Sequence, residues 1–328
     1  MQITFLVKLN DNWIECINSL KKEFPDHSFI THENVQNPED FINDSDGIVV
    51  ARAKPFNIDN ADKLKILFVP WTGVDFMPWQ VIKSRNIIVA NTHGNSFSVA
   101  ERALSLCLAL LGRVVEFHND LKEGIWHGFT RGSIKDDFWI SLYGRKCTIL
   151  GLGSIGLKLS KLLKSFNCYV IGYKKNIDTE KPVSVDHITN NLQEAVSSGE
   201  IIFVFLPLTS ETKGIINKDL LSSMKGKYLI NFSRGELIDE ESLYNALKDG
   251  TLKGAAIDTW YQYPKRPDEI IHPSKYPIHE LKNVVISPHV GGFSQESQLS
   301  MMTETIENIR SFLTTGKPIN QVDPDLEY

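Results

Sequence analysis

The first third of the chain alternates short apolar runs with segments whose apolar residues recur at helical spacing. The runs predict strands over residues 3–7, 28–31, 47–51, 64–69 and 87–90, and the intervening segments predict helices over 13–24 and 75–84. Such alternation is typical of a parallel sheet with helices on both faces. The first run starts without a basic leader, so a strand is expected there rather than a signal sequence.

The rest of the chain repeats this alternation with more strongly apolar strands. They are predicted over residues 146–150, 168–173, 201–205, 228–232, 254–257 and 284–287, after a long apolar helix over 99–116. A last helix over 295–313 has its apolar residues on one face, and the tail after Gly316 is expected to be extended. Single cores stop growing at roughly 250–300 residues, so the 328 residues indicate two α/β domains.

Composition and charge exclude several classes of protein. The formal net charge is -5, so no basic surface is available for nucleic acid. No apolar run approaches the roughly 18 residues that a membrane span needs. The four cysteines are scattered without CxxC spacing, which favours reduced core thiols in a cytoplasmic protein, and no metal site is expected.

A glycine-rich turn follows the strand over 146–150. Gly151, Gly153 and Gly156 have the spacing Gly-x-Gly-x-x-Gly, and the following helix begins near Ser154 and Ile155. The first glycine permits a tight turn, the second lets backbone approach a pyrophosphate, and the third lets the helix sit close to the strand. The helix N-terminus favours phosphate as well, so a dinucleotide is the expected ligand.

The last three predicted strands end in residues that can carry chemistry. Arg234, Asp258 and His289 follow these strands. Ligands of open parallel sheets bind outside the carboxyl ends of the strands, so the three side chains are expected in one crevice. An arginine offers a bidentate fork to a carboxylate or keto oxygen, and a histidine can carry a proton near neutral pH. Their convergence beside a dinucleotide turn favours a functional site.

The chain resembles the D-isomer-specific 2-hydroxyacid dehydrogenase family over nearly its whole length. The strongest segment is Asn-Phe-Ser-Arg-Gly-Glu-Leu-Ile-Asp-Glu at 231–240, which continues through Gly-Ala-Ala-Ile-Asp at 254–258. Residues 207–212, 283–289 and 91–96 are similar to other family motifs. The resemblance, to glyoxylate/hydroxypyruvate reductases and phosphoglycerate dehydrogenases, implies hydride transfer between NAD(P)(H) and a small 2-keto or 2-hydroxy acid.

The resemblance also implies how the chain is divided. Two Rossmann-like, doubly wound parallel-sheet domains are expected, with the active-site cleft between them. A flavodoxin-like substrate domain would comprise residues 1–97 plus 292–328, and the dinucleotide-binding Rossmann domain would comprise residues 98–291. The family is commonly dimeric, so a homodimer is expected.

Site residues carried over from the family fall into three groups. His289 would be the acid/base, and Arg234 would bind the substrate. Gly73 and Val74 would hold the substrate carboxylate through backbone N–H groups, with Asn95 as a further substrate contact. The residues expected at the cofactor are Gly151, Gly153, Ser154, Ile155, Gly156, Lys174, Lys175, Leu206, Pro207, Thr212, Phe232, Ser233, Asp258, His289, Gly291 and Gly292.

One position departs from the family pattern. The family usually has a glutamate directly before a proline, and this glutamate hydrogen-bonds the catalytic histidine and raises its pKa. Tyr263 stands at that position here. A neutral phenol can orient the imidazole of His289 but cannot stabilise imidazolium as a carboxylate does. Glu280, Asp268 or Glu269 could substitute, and loss of catalysis is the competing explanation.

The end of the second strand of the Rossmann series predicts cofactor choice. An NAD-type fold has an acid there, roughly 20 residues past the glycines, to bind the ribose hydroxyls. Lys174 and Lys175 occupy that position, and the nearest acid, Asp178, lies beyond the turn. Lysines pair with a phosphate, so NADP(H) is expected to be preferred to NAD(H).

Two other functions and one further site stay open. A nucleotide-sensing corepressor or scaffold uses the same fold with weak or no catalysis, although retention of Arg234 and His289 speaks against it. A formate-dehydrogenase-like enzyme also lacks the glutamate. Arg52, with Lys54, follows the strand over 47–51 and would read a distal anionic group of the substrate, unless this segment is a solvated loop.

Overall fold

The fold is that of a computed structural model, which describes residues 1–51, 57–128, 138–177, 180–266 and 268–328. It divides into two compact units, Met1–Asn95 with Phe293–Tyr328, and Ser96–Gly292. Each unit contains one parallel sheet, so the prediction of two parallel-sheet α/β domains is confirmed. The predicted anion-reading residues Arg52 and Lys54 lie outside the described residues.

Twelve strands and nine helices are found in the described residues. The strands are β1 Gln2–Phe5, β2 Ser28–Ile30, β3 Gly47–Val49, β4 Ile66–Phe68, β5 Ile88–Ala90, β6 Lys146–Leu150, β7 Tyr169–Tyr173, β8 His187–Thr189, β9 Ile201–Val204, β10 Lys227–Asn231, β11 Leu252–Ile257 and β12 Val284–Ile286. The helices are α1 Asp11–Glu23, α2 Trp79–Ser84, α3 Ser96–Leu111, α4 Val114–Lys122, α5 Ser154–Ser165, α6 Leu192–Ser198, α7 Lys218–Ser222, α8 Glu240–Lys248 and α9 Gln295–Thr315.

The first unit is built on a sheet of order β2-β1-β3-β4-β5, with every pair parallel. Helices α1 and α9 cover one face, where Ile17 and Ile309 pack with Phe5 and Phe68 of the sheet. A second apolar cluster that includes Ile82 of α2 covers the other face. The carboxyl-terminal helix therefore belongs to the same core as the first strands.

The second unit is built on a sheet of order β12-β11-β10-β9-β6-β7-β8, again with every pair parallel. The order reverses at β6, so the switch point lies between β6 and β9. Register aligns Leu150, Val204, Asn231 and Ile257 across four neighbouring strands. The residues that follow these strands consequently share one edge of the sheet, which is where ligands of open α/β sheets bind.

The prediction of a single long helix over 99–116 is wrong. Helix α3 ends at Leu111, and α4 begins at Val114. Arg113 between them has φ 51°, in the left-handed region that interrupts a right-handed helix. The apolar periodicity that predicted one helix continues across this break, but α4 buries none of its residues in its own chain.

Two further differences concern short elements. The three-residue strand β8 has only one buried residue, Thr189, so its apolar pattern is too weak to predict a strand. The tail after Gly316 is not simply extended, because Gln321 forms an antiparallel bridge with Ala90 at the end of β5. This bridge adds the tail to the sheet edge of the first unit.

Candidate active site

The three glycines of the turn after β6 have different steric surroundings. Gly151 has φ 104°, and a Cβ there would lie 2.8 Å from the carbonyl carbon of Phe205. A Cβ at Gly156 would lie 2.2 Å from the Gly151 oxygen, so the helix approaches the turn more closely than any side chain permits. A Cβ at Gly153 would meet nothing within 4 Å. The turn therefore needs two of its glycines for packing and leaves the third facing open space.

Helix α5 begins directly after this open glycine. Gly153 is its N-cap residue, and no side chain caps the helix there. The first turn of an α-helix carries N–H groups without intrahelical acceptors and the positive end of the helix dipole. Ser154 and Ile155 supply the first two of these N–H groups. The turn and the helix start thus fit the pyrophosphate of a dinucleotide, which needs backbone to approach without an intervening Cβ.

The lysines after β7 lie beside the loop after β9. The Lys174 N–H donates to the Thr189 oxygen at 3.1 Å, which continues the pairing of β7 with β8. The Lys175 ammonium pairs with the Glu211 carboxylate at 2.6 Å, and both side chains are exposed, at 66% and 71%. Glu211 is a residue that sequence reasoning did not connect with this position. A cofactor phosphate at Lys175 would have to displace or share this ion pair.

The loops after β9 and β10 are fixed to each other by their own polar groups. Thr212 Oγ1 donates to the Pro207 oxygen at 2.6 Å and accepts from the Thr209 N–H at 2.8 Å. Ser233 Oγ donates to the Leu206 oxygen. The Ser233 bond joins the two loops, whereas the Thr212 bonds order the loop after β9.

Arg234 follows Ser233 at the end of β10 and is partly buried. Its Nη1 donates to the Ser233 oxygen at 2.8 Å, and its own backbone oxygen accepts from Asn231 Nδ2 at 3.1 Å. The next residue, Gly235, is packed so closely that a Cβ would lie 2.4 Å from the Trp260 oxygen. The Arg234 segment is therefore in direct contact with the segment that follows β11.

Asp258 is buried at the end of β11 and holds the chain that follows β12. Its Oδ1 accepts from the Val290 N–H at 3.1 Å, and its Oδ2 accepts from the Gly291 N–H at 2.9 Å. A Cβ at Gly291 would lie 3.0 Å from Asp258 Oδ2 and 3.1 Å from the Phe232 ring. The carboxylate thus fixes the backbone immediately after His289, and Gly292 continues that turn.

His289 has φ 57°, a conformation that is uncommon for residues other than glycine. The Tyr263 ring lies beside the imidazole, with ring centroids 5.5 Å apart and planes inclined at 53°. The Tyr263 hydroxyl accepts from the Trp260 N–H at 2.9 Å. Trp260 in turn donates from Nε1 to the Ser287 oxygen at 2.7 Å. The Tyr263 ring therefore packs against the imidazole of His289.

The carboxylates considered as substitutes for the missing glutamate have partners near their own positions. Glu269 accepts from the Lys265 N–H at 2.6 Å. Glu280 lies 3.8 Å from His279 Nε2, and Asp268 lies 4.0 Å from Arg266 Nε. All three contacts are with residues no more than four positions away in the sequence.

In the first unit, the loop after β4 contains Gly73 and Val74. Neither N–H donates a hydrogen bond to another residue in the part of the chain that the structure describes. The preceding residue is held firmly: the Thr72 oxygen accepts from Asn91 Nδ2 at 2.8 Å, and Thr72 Oγ1 donates to Asn95 Oδ1 at 2.7 Å. Two consecutive N–H groups on a fixed loop form a site suited to a carboxylate.

The hydrogen-bonding roles of Asn91 and Trp260 in the site were not predicted from the sequence. Asn91 was seen only as the start of a family motif, and its burial at the end of β5 is what identifies it as a loop anchor. Trp260 is likewise buried. A polar or indole side chain directly after an apolar strand is the signal that could have found both.

Two absences apply to the described ranges. Residues 1–51, 57–128, 138–177, 180–266 and 268–328 contain no group of three or more His, Cys, Asp or Glu side chains that could hold a metal ion. Within the same ranges, no helix is long and apolar enough to span a membrane.

Comparison with known proteins agrees with this geometry. The family model "D-isomer specific 2-hydroxyacid dehydrogenase, NAD binding domain" matches residues 104–291. The D-3-phosphoglycerate dehydrogenase of Methanocaldococcus jannaschii is 32% identical over 278 residues, which is 83% of this chain and 50% of that protein. The glyoxylate reductase of Korarchaeum cryptofilum is 30% identical over 292 residues, which is 87% of this chain and 85% of that protein.

Similarity extends to solved structures. The structure of an acyclic imino acid reductase in complex with NADPH and D-Arg matches with a TM-score of 0.80 at 26% identity, over 98% of this chain and 100% of that one. The chain spans about half the length of the first curated phosphoglycerate dehydrogenases that it matches. The family model covers more than half of the chain, and its match ends two residues beyond His289. The chain therefore belongs to the D-isomer specific 2-hydroxyacid dehydrogenase family.

Proposed function

We propose that this protein transfers a hydride between a nicotinamide dinucleotide and a small 2-keto or 2-hydroxy acid. The observation that carries the proposal is that Arg234 and His289 follow strands of the same sheet edge as the glycine turn, in a family whose model is an NAD binding domain. Relatives named glyoxylate reductase and D-3-phosphoglycerate dehydrogenase support a substrate of this class.

The chemistry of each side chain follows from its charge and its hydrogen-bonding capacity. When bound, the dinucleotide supplies or accepts the hydride. The Arg234 guanidinium binds the carbonyl oxygen of the keto acid and stabilises negative charge that develops there. His289 donates a proton to that oxygen during reduction and takes it back during oxidation. Gly73 and Val74 bind the substrate carboxylate through their N–H groups.

Other residues support these roles without touching the reacting atoms. Asp258 fixes the backbone at Val290 and Gly291 and thereby the position of His289. Tyr263 packs against the imidazole and limits its rotation. In this proposal Tyr263 takes over the orienting part of the usual glutamate's role, but not its charge.

We further propose a preference for NADP(H). Lys174 and Lys175 replace the acid that binds the ribose hydroxyls in NAD-type folds, and they pair with the 2′-phosphate. The exposed ion pair between Lys175 and Glu211 is worth little, so a phosphate can displace it. The imino acid reductase with similar structure was solved with NADPH.

The lysine proposal is tested by kcat/KM for NADPH and NADH on one keto acid. The expected result is an NADPH preference that Lys174→Asp lowers by about 10–100-fold, because a charge-assisted hydrogen bond contributes about 1.5–3 kcal/mol. Lys161→Asp, at an exposed lysine of α5, is the control and should leave the preference unchanged. A wild-type preference for NADH would refute the proposal.

A homodimer and a cytoplasmic location complete the proposal. Helix α4 buries no residue in its own chain, and Val114, Val115 and Leu121 on it are exposed. A second copy of this chain is the partner that would cover this apolar surface.

The cytoplasmic location is supported by the cysteines. All four cysteines are free thiols, which suits a reducing compartment.

A second candidate function is the reduction of an imine formed from a 2-keto acid and an amine. It is favoured by the match to the acyclic imino acid reductase over 98% of this chain and 100% of that one. Imine and keto acid share the carboxylate and the electrophilic carbon, so Arg234 and His289 would serve either reaction.

The test is a panel of 2-keto acids with each reduced cofactor, with and without ammonium or a primary amine. Glyoxylate, hydroxypyruvate and bulkier keto acids are expected to oxidise the cofactor without any amine. Arg234→Ala should lower kcat/KM by about 10²–10³-fold, as does the loss of a group that stabilises a developing oxyanion. Turnover only with an amine would favour the imine reaction. Tight cofactor binding without turnover of any substrate would favour a nucleotide-sensing scaffold.

A further inference from the structure

The last helix presents a polar stripe to the segment that follows β5. Ser300, Glu304 and Asn308 are spaced by four residues, so they lie on one face of α9. The segment they contact, residues 91–95, is the one that holds the loop after β4. All of these residues belong to the first unit.

Asn308 is the central residue of this stripe. It is only 1% exposed, and every hydrogen bond of its amide goes to backbone. Nδ2 donates to the Asn91 oxygen at 2.9 Å, and Oδ1 accepts from the Ile319 and Asn320 N–H groups at 3.0 and 2.9 Å. The amide thus joins α9, the carboxyl-terminal tail and the end of β5, and because Asn308 is buried the loss of one of these bonds would leave a buried polar group unsatisfied.

The connection continues from Asn91 to the loop after β4. Asn91 donates from Nδ2 to the Thr72 oxygen at 2.8 Å, and its N–H donates to the Asn320 oxygen at 3.1 Å. Thr72 is the residue directly before Gly73 and Val74. A displacement of Asn91 would therefore move the peptide that carries the Gly73 N–H.

Two more contacts fix the same segment against α9. The Glu304 carboxylate accepts from the His93 N–H at 2.6 Å. A Cβ at Gly94 would lie 2.6 Å from Ser300 Oγ and 2.7 Å from the Met301 nitrogen, so only glycine permits this approach. The segment is held at three positions along two turns of the helix, which leaves it little freedom to shift.

We propose that Asn308 is a positioning residue for substrate binding: through Asn91 and Thr72 it sets the backbone at which the substrate carboxylate binds. This inference rests on the proposed function of Gly73 and Val74. Its physical basis is that two adjacent N–H groups bind a carboxylate only when their directions converge, and a misplacement of about 1 Å can cost about 10²-fold. Asn308 does not touch the substrate.

The test compares Asn308→Asp with the wild-type protein. The substitution keeps the acceptor for the tail but replaces the donor to the Asn91 oxygen with a negative oxygen that repels it. The expected result is an increase of about 10–100-fold in KM for the keto acid and in the dissociation constant of oxamate, a non-reacting carboxylate. kcat is expected to stay within about threefold, because the lost interaction is made equally in the ground state and the transition state. The dissociation constant of the reduced cofactor is expected to be unchanged, since its residues are in the other unit.

Asn34 offers a control in the same unit, with similar hydrogen bonds on an exposed side chain. Its amide also donates to a backbone oxygen, that of Phe29 at 2.8 Å, and accepts from a backbone N–H, that of Thr31 at 2.7 Å. Asn34→Asp should leave KM and oxamate binding unchanged. Asn308→Ser, which introduces no charge, replaces Asn308→Asp if that variant does not fold, with the same expectation.

Unchanged KM and oxamate binding in a folded Asn308 variant would overturn the inference. So would an equal loss of cofactor and oxamate affinity, because that indicates general destabilisation. A wild-type protein that turns over no keto acid and binds no oxamate would instead overturn the proposed function, and this inference with it.

Discussion

Tyr263 stands where the family resemblance implies a glutamate, and the structure shows what this tyrosine contacts. Its ring packs against His289, and its hydroxyl accepts from the Trp260 N–H. The phenol can therefore orient the imidazole. It carries no negative charge, so it does not favour the imidazolium form as a carboxylate would.

Introducing a carboxylate here should extend reduction to higher pH. In the proposed mechanism reduction needs protonated His289, and a neighbouring carboxylate raises the pKa of an imidazole, so the protonated form would persist further into the alkaline range. In Tyr263→Glu the pH at which kcat/KM for reduction falls to half is expected to rise by about one unit. The measurement is the pH profile of keto-acid reduction.

Tyr263→Gln serves as the control, because glutamine matches glutamate in shape without its charge. Its profile is expected to keep the wild-type midpoint. If Tyr263→Glu also kept that midpoint, another carboxylate would already act on the imidazole, and the role given to Tyr263 would be wrong.

For single residues, the sequence predicted their positions after the strands better than it predicted their hydrogen-bond and ion-pair partners. Arg234, Asp258 and His289 follow neighbouring strands, as their place after apolar runs indicated. Their hydrogen bonds could not be predicted, because spacing along a chain does not determine where a side chain points. Asp258 was expected at the cofactor, and both of its oxygens accept from the backbone after His289. The pairing of Lys175 with Glu211 joins residues from two different loops.

At the scale of elements, the glycines of the turn between β6 and α5 differ in how much space a side chain would have. A Cβ at Gly156 would collide with backbone, whereas a Cβ at Gly153 would meet open space. Gly153 also has φ -78°, which alanine adopts readily. If Gly153 serves ligand binding alone, its substitution should change cofactor affinity without changing thermal stability. Substitution of Gly156 should instead lower thermal stability.

Gly153→Ala is therefore expected to keep the wild-type Tm but to weaken cofactor binding by on the order of tenfold or more, since a methyl group would stand where the pyrophosphate approaches. Gly156→Ala should lower Tm by several degrees, because overpacking typically costs about 1–3 kcal/mol. Thermal unfolding and cofactor titration measure the two effects. Unchanged cofactor affinity in Gly153→Ala would contradict a phosphate site at this turn.

Element prediction succeeded where apolar periodicity was strong and failed where it was weak or interrupted. Most strands of the two sheets carry buried apolar residues in short runs, and the order of the predicted strands along the chain was correct. Strand β8 was missed, because Ile188 is the only apolar residue among its three. The break between α3 and α4 was missed, because the left-handed backbone conformation of Arg113 does not change the spacing of apolar residues in the sequence.

At the scale of the whole molecule, association is predicted from the exposed apolar surface of α4. The wild-type protein should have twice the chain mass of 37.1 kDa by light scattering. Leu121→Asp on α4 should shift the protein towards the monomer, since a charge would then be buried without a partner. Leu299→Asp is the matched control on α9, where the leucine is 50% exposed, compared with 51% for Leu121. A monomeric wild-type protein would contradict the proposed dimer.

Sequence patterns predicted the parallel-sheet class, and the family resemblance predicted that both chain ends join in one domain. Neither predicted the hydrogen bond that joins the last helix, α9, to the end of β5. The hydrogen bond from Asn308 to Asn91 spans 217 residues. Such a bond depends on how a helix face packs against a strand end, which no local pattern encodes.

The central claim is that the chain transfers a hydride to the C2 carbon of a 2-keto acid, with His289 as proton donor. It is tested most directly by supplying reduced cofactor with deuterium at the transferable position and analysing the product by mass spectrometry and chiral chromatography. The predicted product is a D-2-hydroxy acid with deuterium at C2, formed about 10²–10⁴-fold more slowly by His289→Ala. A product without the label, a product of the opposite configuration, or an undiminished rate in His289→Ala would contradict the account.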